Sequence, residues 1–473
     1  MFIGYFYNLI VYLLRNFRLF TYTYLIIFLR LYNKCWGQKK IYKINEHICS
    51  ESCIIELRQK NYRRILNILT LHDTQSLLNL QGVIVKKVTL DNNFIIINIE
   101  MDKTAHICPN CGSSTSHVHD YRQQLIKDIP AFDSYVILNY RKRRYVCPHC
   151  RKRFSERHPC VPRYHRMTSR LVAHIINKLR DVYSFTAVSK EVNLSVSTVI
   201  RVFDCITVSR PAKLPRVLAI DEFKGNTGSE KYQAIITDPA SKRVLDILPS
   251  RSQTELIAYL KQWSVKGRKR VKYFVSDMWQ PYTDIASAFL KNSVQIIDRY
   301  HFIRQMVWAF EKVRKRVQKL YPKHSRLMFK HSKRLLIKHE SKLKSYERER
   351  VKAIFNASYD MLRAYRLKEQ FYKIMECTDR ETAKKLMSDW ILDAQNSEIP
   401  EYIECSKTLV NWRTGILNSF DVTYSNGFTE GCNNKIKVLK RNAYGFRNFD
   451  RFRKRILHCF SDKNDLAAKG LTL

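Results

Sequence analysis

Three acids in this chain are placed to hold a divalent cation. Asp221 closes the run VLAID, Asp277 closes VKYFVSD, and Glu430 lies within YSNGFTEGCNNKIKVLKR. The first two end strand-like runs, and the third falls on a helical pattern. Carboxylates at the ends of neighbouring strands repel one another. Mg2+ relieves such repulsion, because it takes one or two carboxylates plus substrate phosphates. On a helix, Glu430, Asn434, Lys437 and Arg441 share one face, while Ile436, Leu439 and Ala443 form a separate apolar stripe. An acid with an amide and two cations beside it suits a metal-bound phosphate and its flanking strand. A single strand-end Asp is more often a solvated or capping residue. The reading therefore rests on three acids, each in the element it needs. Asp298, ending VQIID, reads as a group near the metal, Glu222 and Asp284 as surface residues, and Asp238 before Pro239 as a turn residue. Gly427, Gly431 and Gly445 crowd the glutamate region and would let backbone approach a ligand.

The second constellation is sulfur. Cys108 and Cys111 form CPNC, and Cys147 and Cys150 form CPHC, with 35 residues between the pairs. A tight turn aims both sulfurs of a pair at one point. Two pairs make a closed four-thiolate site for structural Zn2+. A β-hairpin would fill the interval. His117, His119, His149 and His158 read as solvent or phosphate contacts, since four thiolates already complete the shell. The basic run Arg141–Arg144 would face a DNA backbone.

The third is a reading head. Phe185 to Asp204, FTAVSKEVNLSVSTVIRVFD, fits a helix-turn-helix, with Val188, Val192, Leu194, Val199 and Val202 facing inward. Ser189 is small where the helices would cross, and Asn193 sits where a left-handed backbone is needed. Ser195, Ser197, Thr198 and Arg201 would face outward on the end that enters a major groove. The alternative for this stretch is an ordinary helical hairpin.

These residues need a scaffold. From Pro215 the strands VLAID, YQAIIT and RVLDIL follow one another, then VKYFVSD and VQIID alternate with helices near 252–263 and 280–290. Three strands in succession form an antiparallel meander, and the crossovers add parallel strands. That is the order of a ribonuclease-H-like mixed sheet. Residues 301–415 read as helical and heavily charged. Upstream, GVIVKKVTL and NFIIINIEM flank the turn signal Asp91-Asn92-Asn93. The fold expected is multidomain α/β: a zinc ribbon and helix-turn-helix, then a ribonuclease-H-like core with a helical insertion. The divisions are an extension 1–65, a strand-rich zinc-binding domain 66–165, a helix-turn-helix domain 166–212, the first part of the core 213–302, a basic insertion 303–415, and the last part of the core 416–473.

Composition narrows the classes. The chain has 473 residues with 84 Lys plus Arg against 42 Asp plus Glu, a formal net charge of +42. Such a surplus calls for a polyanion. A hydrophobic fraction of 45% rules out wholesale disorder, and 12 Gly with 12 Pro rule out collagen-like sequence. Thirteen cysteines, an odd number, are no disulfide scaffold and point to a reducing compartment. The apolar runs 2–14 and 19–29 are separated by Arg15 and Arg18. Neither reaches the ~18–20 residues of a spanning helix. No secretory signal is expected. The N-terminal runs read as a surface-lying amphipathic segment, a pair of core helices or, the favoured reading for residues 1–65, an unneeded extension. Stable membrane association is not expected.

The CPNC and CPHC pairs, the helix-turn-helix, LAIDEF, VSDMW, DRYHF and above all NGFTEGCNNKIKVLKRNAYGFRNFDRFRKRIL resemble the ISL-three family of bacterial insertion-sequence transposases, from about Leu66 to Ser461. The resemblance implies a DDE transposase with its triad on Asp221, Asp277 and Glu430. It implies Mg2+ or Mn2+ in the catalytic site, and double-stranded DNA, as terminal inverted repeats and as target, for partner. Cleavage at the element ends would be followed by joining of the 3′-hydroxyl to target DNA. A homo-oligomer assembled on DNA and a cytoplasmic, nucleoid-associated location in bacteria follow. The 65-residue apolar N-terminus departs from the family pattern. A non-catalytic zinc and helix-turn-helix regulator would explain the charge and the cysteines, but not three acids in their required elements. A nuclease on the same sheet would cut without joining.

Overall fold

The computed structural model describes residues 71–461, apart from 81, 162–164, 209 and 228–229. The N-terminal extension and its apolar runs lie outside the described residues. Those described fall into two compact units that divide after Thr168.

The first unit opens with helix α1, Leu71–Leu78, and the hairpin β1, Val83–Asp91, with β2, Phe94–Met101. Asn92 takes φ 49° in the turn, a conformation Asn tolerates. Two ribbon strands, β3 (His106–Ile107) and β4 (Ser114–Thr115), precede β5, Val118–Lys127, and β6, Tyr135–Val146. Strand β6 pairs antiparallel with β5 and with β7, Arg153–Ser155, and parallel with β2. The lead-in hairpin and the hairpin between the cysteine pairs are thus one sheet. Alternation in β2 and β6 buries Ile95, Ile97, Ile99, Leu138 and Tyr140 on one face.

The second unit begins with α2, Ser169–Lys178, α3, Phe185–Glu191, and α4, Val196–Asp204. Asn193, between α3 and α4, has φ 50°. Val188, Val192 and Val199 are buried as expected, but Phe203 rather than Val202 fills the last inward position.

The sheet follows: β8, Val217–Thr227, β9, Glu230–Asp238, β10, Arg243–Leu248, β11, Tyr273–Ser276, and β12, Val294–Ile297. Their order is β10-β9-β8-β11-β12. The first three are antiparallel, and β11 is parallel to both β8 and β12. This is the mixed sheet that the strand succession predicts. Helices α5, Gln253–Lys261, α6, Val265–Arg268, and α7, Gln280–Phe289, connect the parallel strands. Leu256, Leu260, Tyr282 and Ile285 of α5 and α7 bury one face with Leu218, Ile220 and Phe274.

Eight α-helices and one short 3-10 turn, Glu340–Lys342, separate β12 from the glutamate helix: α8, Arg299–Lys319, α9, Arg326–Lys330, α10, Lys333–Ile337, α11, Ser345–Ala357, α12, Tyr359–Met375, α13, Arg380–Gln395, α14, Pro400–Asn411, and α15, Arg413–Asn418. They own a core around Phe310, Trp390 and Tyr402. A Cβ on Gly415 would come within 2.7 Å of Ile297, so glycine lets α15 lie directly on β12. No helix among the described residues is long and apolar enough to cross a membrane.

The chain returns to the sheet with α16, Gly427–Asn442, and α17, Phe449–Phe460. Gly445 takes φ 99° and its N–H closes on Lys440 O at 2.9 Å, ending α16 with a left-handed turn. A Cβ on Gly431 or Gly445 would meet no atom within 4 Å, so these glycines are not tight approaches within the fold. Helix α17 joins sheet and reading head. Arg453 pairs with buried Asp246 of β10 at 2.6 Å. On the other side Arg451 pairs with Asp204, Arg455 donates to Asp181 O and Tyr183 O at 2.7 Å each, and His458 Nε2 lies 2.7 Å from Ile176 O.

Candidate active site, zinc site and reading helix

Register places the strand-end acids. In the parallel pairs Val275 lies opposite Ala219, and Ser276 opposite Ile297. Two residues further along one pair and one along the other, Asp277 comes level with Asp221 and with Asp298. Asp277 and Asp298 follow the carboxyl ends of β11 and β12, but Asp221 does not end its strand as the sequence suggested. Strand β8 runs on to Thr227 because it keeps pairing with β9, and Asp221 lies within it, level with the ends of its shorter neighbours. Successive side chains point to opposite faces. Val217, Ala219 and Phe223 lie on the face away from α5 and α7, so Asp221 projects there too.

Helix α16 covers that face. Cys432, Ile436 and Leu439 pack with Phe223, Ile235 and Ile247. Thr429 Oγ1 lies 2.8 Å from Thr237 Oγ1 in a fully buried contact. Asn433, 5% exposed, donates from Nδ2 to Asp221 Oδ2 at 2.8 Å. The other Asp221 oxygen accepts the Glu222 N–H at 2.7 Å. Burial and the nearby Asp277 carboxylate push the Asp221 carboxyl up to about 7. His301, in the first turn of α8, brings Nε2 to 2.6 Å from Asp277 Oδ1. Asp298 is buried, and its Oδ1 accepts the Asn426 N–H at 3.0 Å, tying the end of β12 to the start of α16.

Glu430 stands one turn before Asn433 on α16, with its side chain exposed. Asn434, Lys437 and Arg441 are exposed as well, and Lys437 donates to Asn434 Oδ1 at 3.2 Å. The amide that meets the sheet acid is thus Asn433, not Asn434. Glu222 departs from its surface reading: it is half-buried and paired with Arg251. Asp284 is exposed, and Asp238 caps its turn by accepting from Ala240 and Ser241.

In the first unit, the sulfurs of Cys108, Cys111, Cys147 and Cys150 all lie within 4.8 Å of one another. Tetrahedral bonds of about 2.3 Å to Zn2+ would set sulfurs about 3.8 Å apart. The two turns are copies. Gly112 N–H returns to Cys108 O at 3.0 Å, and Arg151 N–H to Cys147 O at 2.9 Å. Gly112 and Arg151 are both left-handed, at φ 73° and 54°. The Ser113 hydroxyl beside Cys111 holds its thiol down at about 6, toward the thiolate that zinc requires. His117, His119 and His149 are exposed, but His158 is a core residue, edge-on to Tyr140, with Nδ1 accepting the Cys160 N–H. Within the run 141–144, Arg143 is buried between Glu100 and Glu156, and Arg144 pairs with Asp120. Arg143 is therefore a structural cation rather than a DNA contact.

The reading helix α4 starts at Ser195, whose Oγ accepts the Thr198 N–H at 3.2 Å. Ser195 is thus committed to the cap. Ser197 and Arg201 are exposed, Thr198 is half-buried, and Arg201 donates to Thr198 Oγ1 at 3.2 Å. In the insertion, Arg314 is buried against Glu311, and Arg316 is clamped by Glu401 and Asp360. Lys315 and Lys319 are exposed. Neutralising Lys315 and Lys319 together is expected to reduce the log–log salt slope of DNA binding by about 2, whereas Arg316→Gln leaves the slope and lowers the melting temperature. Titration of binding between low and moderate salt reads both.

The comparisons follow the same division. Residues 104–150 match a family model described as the zinc-finger of transposase IS204/IS1001/IS1096/IS1165, and residues 156–205 the helix-turn-helix domain of transposase family ISL3. Residues 218–456 match a model described as transposase. The transposase for insertion sequence element IS1001 of Bordetella parapertussis is 26% identical over 374 residues, 77% of this chain and 91% of that protein. The transposase for insertion sequence element IS1557 of Mycobacterium tuberculosis is 24% identical over 266 residues, 51% of this chain and 59% of that protein. Zinc ribbon, reading head and mixed sheet thus each meet their counterpart in order along the sequence, and the chain belongs to the ISL3 family of insertion-sequence transposases.

Proposed function

We propose that Asp221, Asp277 and Glu430 are the catalytic triad of a DDE transposase, acting on the terminal inverted repeats of an insertion sequence. The observation that carries this reading is the register match of Asp221 with Asp277 beneath the docked glutamate helix. The donor set suits a divalent cation: Asp221 and Asp277 are neighbouring carboxylates, and burial first, then the Asp277 charge, pushes Asp221 up to about 7, a cost that a bound cation would relieve. Bound there, Mg2+ or Mn2+ supplies the Lewis acidity that phosphoryl transfer between DNA strands needs.

The chain's own groups do the rest. Asn433 fixes the rotation of the Asp221 carboxylate, and His301 braces Asp277. Lys437 and Arg441, further along the Glu430 side of α16, take the phosphates flanking the cut. Ser197, Thr198 and Arg201 read the repeat in the major groove, with Ser195 holding the helix start. The ribonuclease-H-like core cuts at the element end and presents the freed 3′-hydroxyl to target DNA. A homo-oligomer forms on the paired ends, in the bacterial cytoplasm at the nucleoid. The divisions at 66, 166, 213, 303 and 416 are working modules in this scheme.

The test is a strand-transfer assay on full-length chain, Mg2+ and a duplex carrying one element end. Wild type is expected to yield both nicked and joined products, and Glu430→Gln neither, with repeat binding retained. Cutting without joining would replace this reading with a nuclease.

A further inference from the structure

Helix α8 leaves the sheet beside the candidate active site and carries two exposed aromatic rings. Tyr300 is 54% and Trp308 49% exposed, large values for such rings on a helix whose other side is core. They are eight residues apart, so both lie on one stripe, with Arg304 midway between them. The Arg304 guanidinium sits over both, 5.5 Å from the Tyr300 ring centre and 4.7 Å from that of Trp308. Arg304 Nη2 lies 3.1 Å from His301 Nδ1, and the Tyr300 ring stands edge-on to the His301 ring at 5.6 Å. His301 in turn reaches Asp277. One continuous row thus runs from the candidate metal carboxylate out along the helix: Asp277, His301, Arg304, Trp308.

Beyond these contacts, two features of the row remain unsatisfied within the fold. Arg304 pairs with no carboxylate among the described residues, and its Nε is buried without a hydrogen-bond acceptor. The rings on either side of it are covered by the guanidinium yet stay about half-exposed. A guanidinium flanked by exposed aromatic faces matches a nucleotide: the cation takes a phosphate, and a ring takes an unstacked base. Paired bases stack on their neighbours and present no face, so the ligand must be a base turned out of the duplex.

We propose that Tyr300, Arg304 and Trp308 form a binding site for one extrahelical nucleotide of the DNA beside the cleavage point. The site rests on the reading of Asp277 as part of the catalytic centre. It gives the insertion's first helix a role in holding the substrate open, and it predicts that base pairing next to the cut is a barrier this helix lowers.

Two measurements on full-length chain test it. In the first, a short single-stranded oligonucleotide is titrated without divalent metal, so no chemistry is read. Tryptophan emission is expected to fall in wild type, and by clearly less in Trp308→Phe, which isolates Trp308 among the six tryptophans. Arg304→Ala is expected to raise the half-saturating concentration. In the second, cleavage of an element-end duplex is compared for wild type, Trp308→Ala and Trp308→Phe, with an abasic site moved stepwise through the pairs flanking the cut. Trp308→Ala is expected to slow cleavage of the fully paired duplex about 5–100-fold, the scale of one base–aromatic stack. An abasic site at one position restores the rate, and Trp308→Phe retains most of it. Equal quenching in wild type and Trp308→Phe overturns the proposal. So does a Trp308→Ala defect that no abasic position relieves, or one that tracks a change in oligomeric size. Quenching at Trp308 with no cleavage by wild type keeps the nucleotide site and overturns the catalytic reading.

Discussion

Asp277→Asn is expected to abolish strand cleavage, lowering its rate by at least about 10³-fold, while affinity for the terminal repeat stays within a factor of about two. Asn keeps the shape of the carboxylate and the contact with His301 but removes the negative charge that a divalent cation needs. The reading helix lies on other elements, so binding measured by mobility shift does not follow cleavage. Retained cleavage would remove Asp277 from the triad. Asp221→Asn is expected to lose cleavage equally and to show a second, thermodynamic signature. In the metal-free protein the Asp221 carboxyl sits at about 7, raised by burial and by Asp277, against an ordinary 3.8. The folded state therefore holds a proton that the unfolded state releases. Its stabilising contribution is complete below the unfolded value and is lost as pH rises toward 7. Asn carries no such charge. The melting-temperature advantage of Asp221→Asn over wild type should grow from pH 4 to pH 7 and level off above. Added Mg2+ should cancel that advantage by raising the wild type alone. Calorimetry across this range, with and without Mg2+, reads both effects, and a flat difference would contradict the buried-pair description.

Removal of zinc is the second large effect. Structural zinc contributes about 10–16 kcal/mol of apparent binding energy in zinc-finger peptides, more than most domains have in total. Here the ribbon has little else. Strands β3 and β4 are two residues each, and each cysteine turn closes on two backbone bonds, Gly112 N–H to Cys108 O with Cys108 N–H to Ser113 O in one and Arg151 N–H to Cys147 O with Cys147 N–H to Lys152 O in the other. Stripping the metal, or Cys147→Ser, is expected to release one zinc per chain. Amide protection around residues 106–118 and 144–155 should collapse. The sheet core of Ile97, Ile99 and Leu138 lies in the hairpins and should lose less. Native mass spectrometry gives the metal count and hydrogen exchange the map. Unchanged protection after complete zinc loss would mean that the ribbon stands on its own packing.

Much of this site is written locally. The strand succession after Pro215 gives the mixed sheet because each run is short, β-branched and bounded by turn residues. Asn193 gives its own backbone, since few residues accept a left-handed φ. The Cys pairs carry their spacing with them. What stayed hidden depends on partners far away in the chain. Arg316 reads as a free cation until Glu401, 85 residues on, folds against it. Arg143 and His158 read as surface groups until the sheet closes over them. Asn433 and Asn434 flank Glu430 on the helix wheel at comparable angles, about 60° and 40°. Only docking decides between them. Thr429, Cys432 and Ile436 form the buried stripe, and Asn433 is its neighbour. Counting Cys432 among the apolar residues would have pointed there. His301 carried a cue in standing three residues after a strand-end acid, at the first turn of a helix.

Helix α17 has a consequence for how the protein is made. Arg451, Arg455 and His458 are bonded to Asp204, to the carbonyls of Asp181 and Tyr183, and to the Ile176 carbonyl, across sequence separations of 247 to 282 residues. A growing chain on the ribosome therefore displays residues 169–205 long before the residues that seat them exist. Contacts so distant in sequence form late. The contacts of α17 with the reading head become available only once residues 449–460 have been made. A product broken off inside the insertion would carry a loose reading head and no glutamate helix. The contacts that seat the reading head and the helix that carries Glu430 are thus made by the same late stretch of chain.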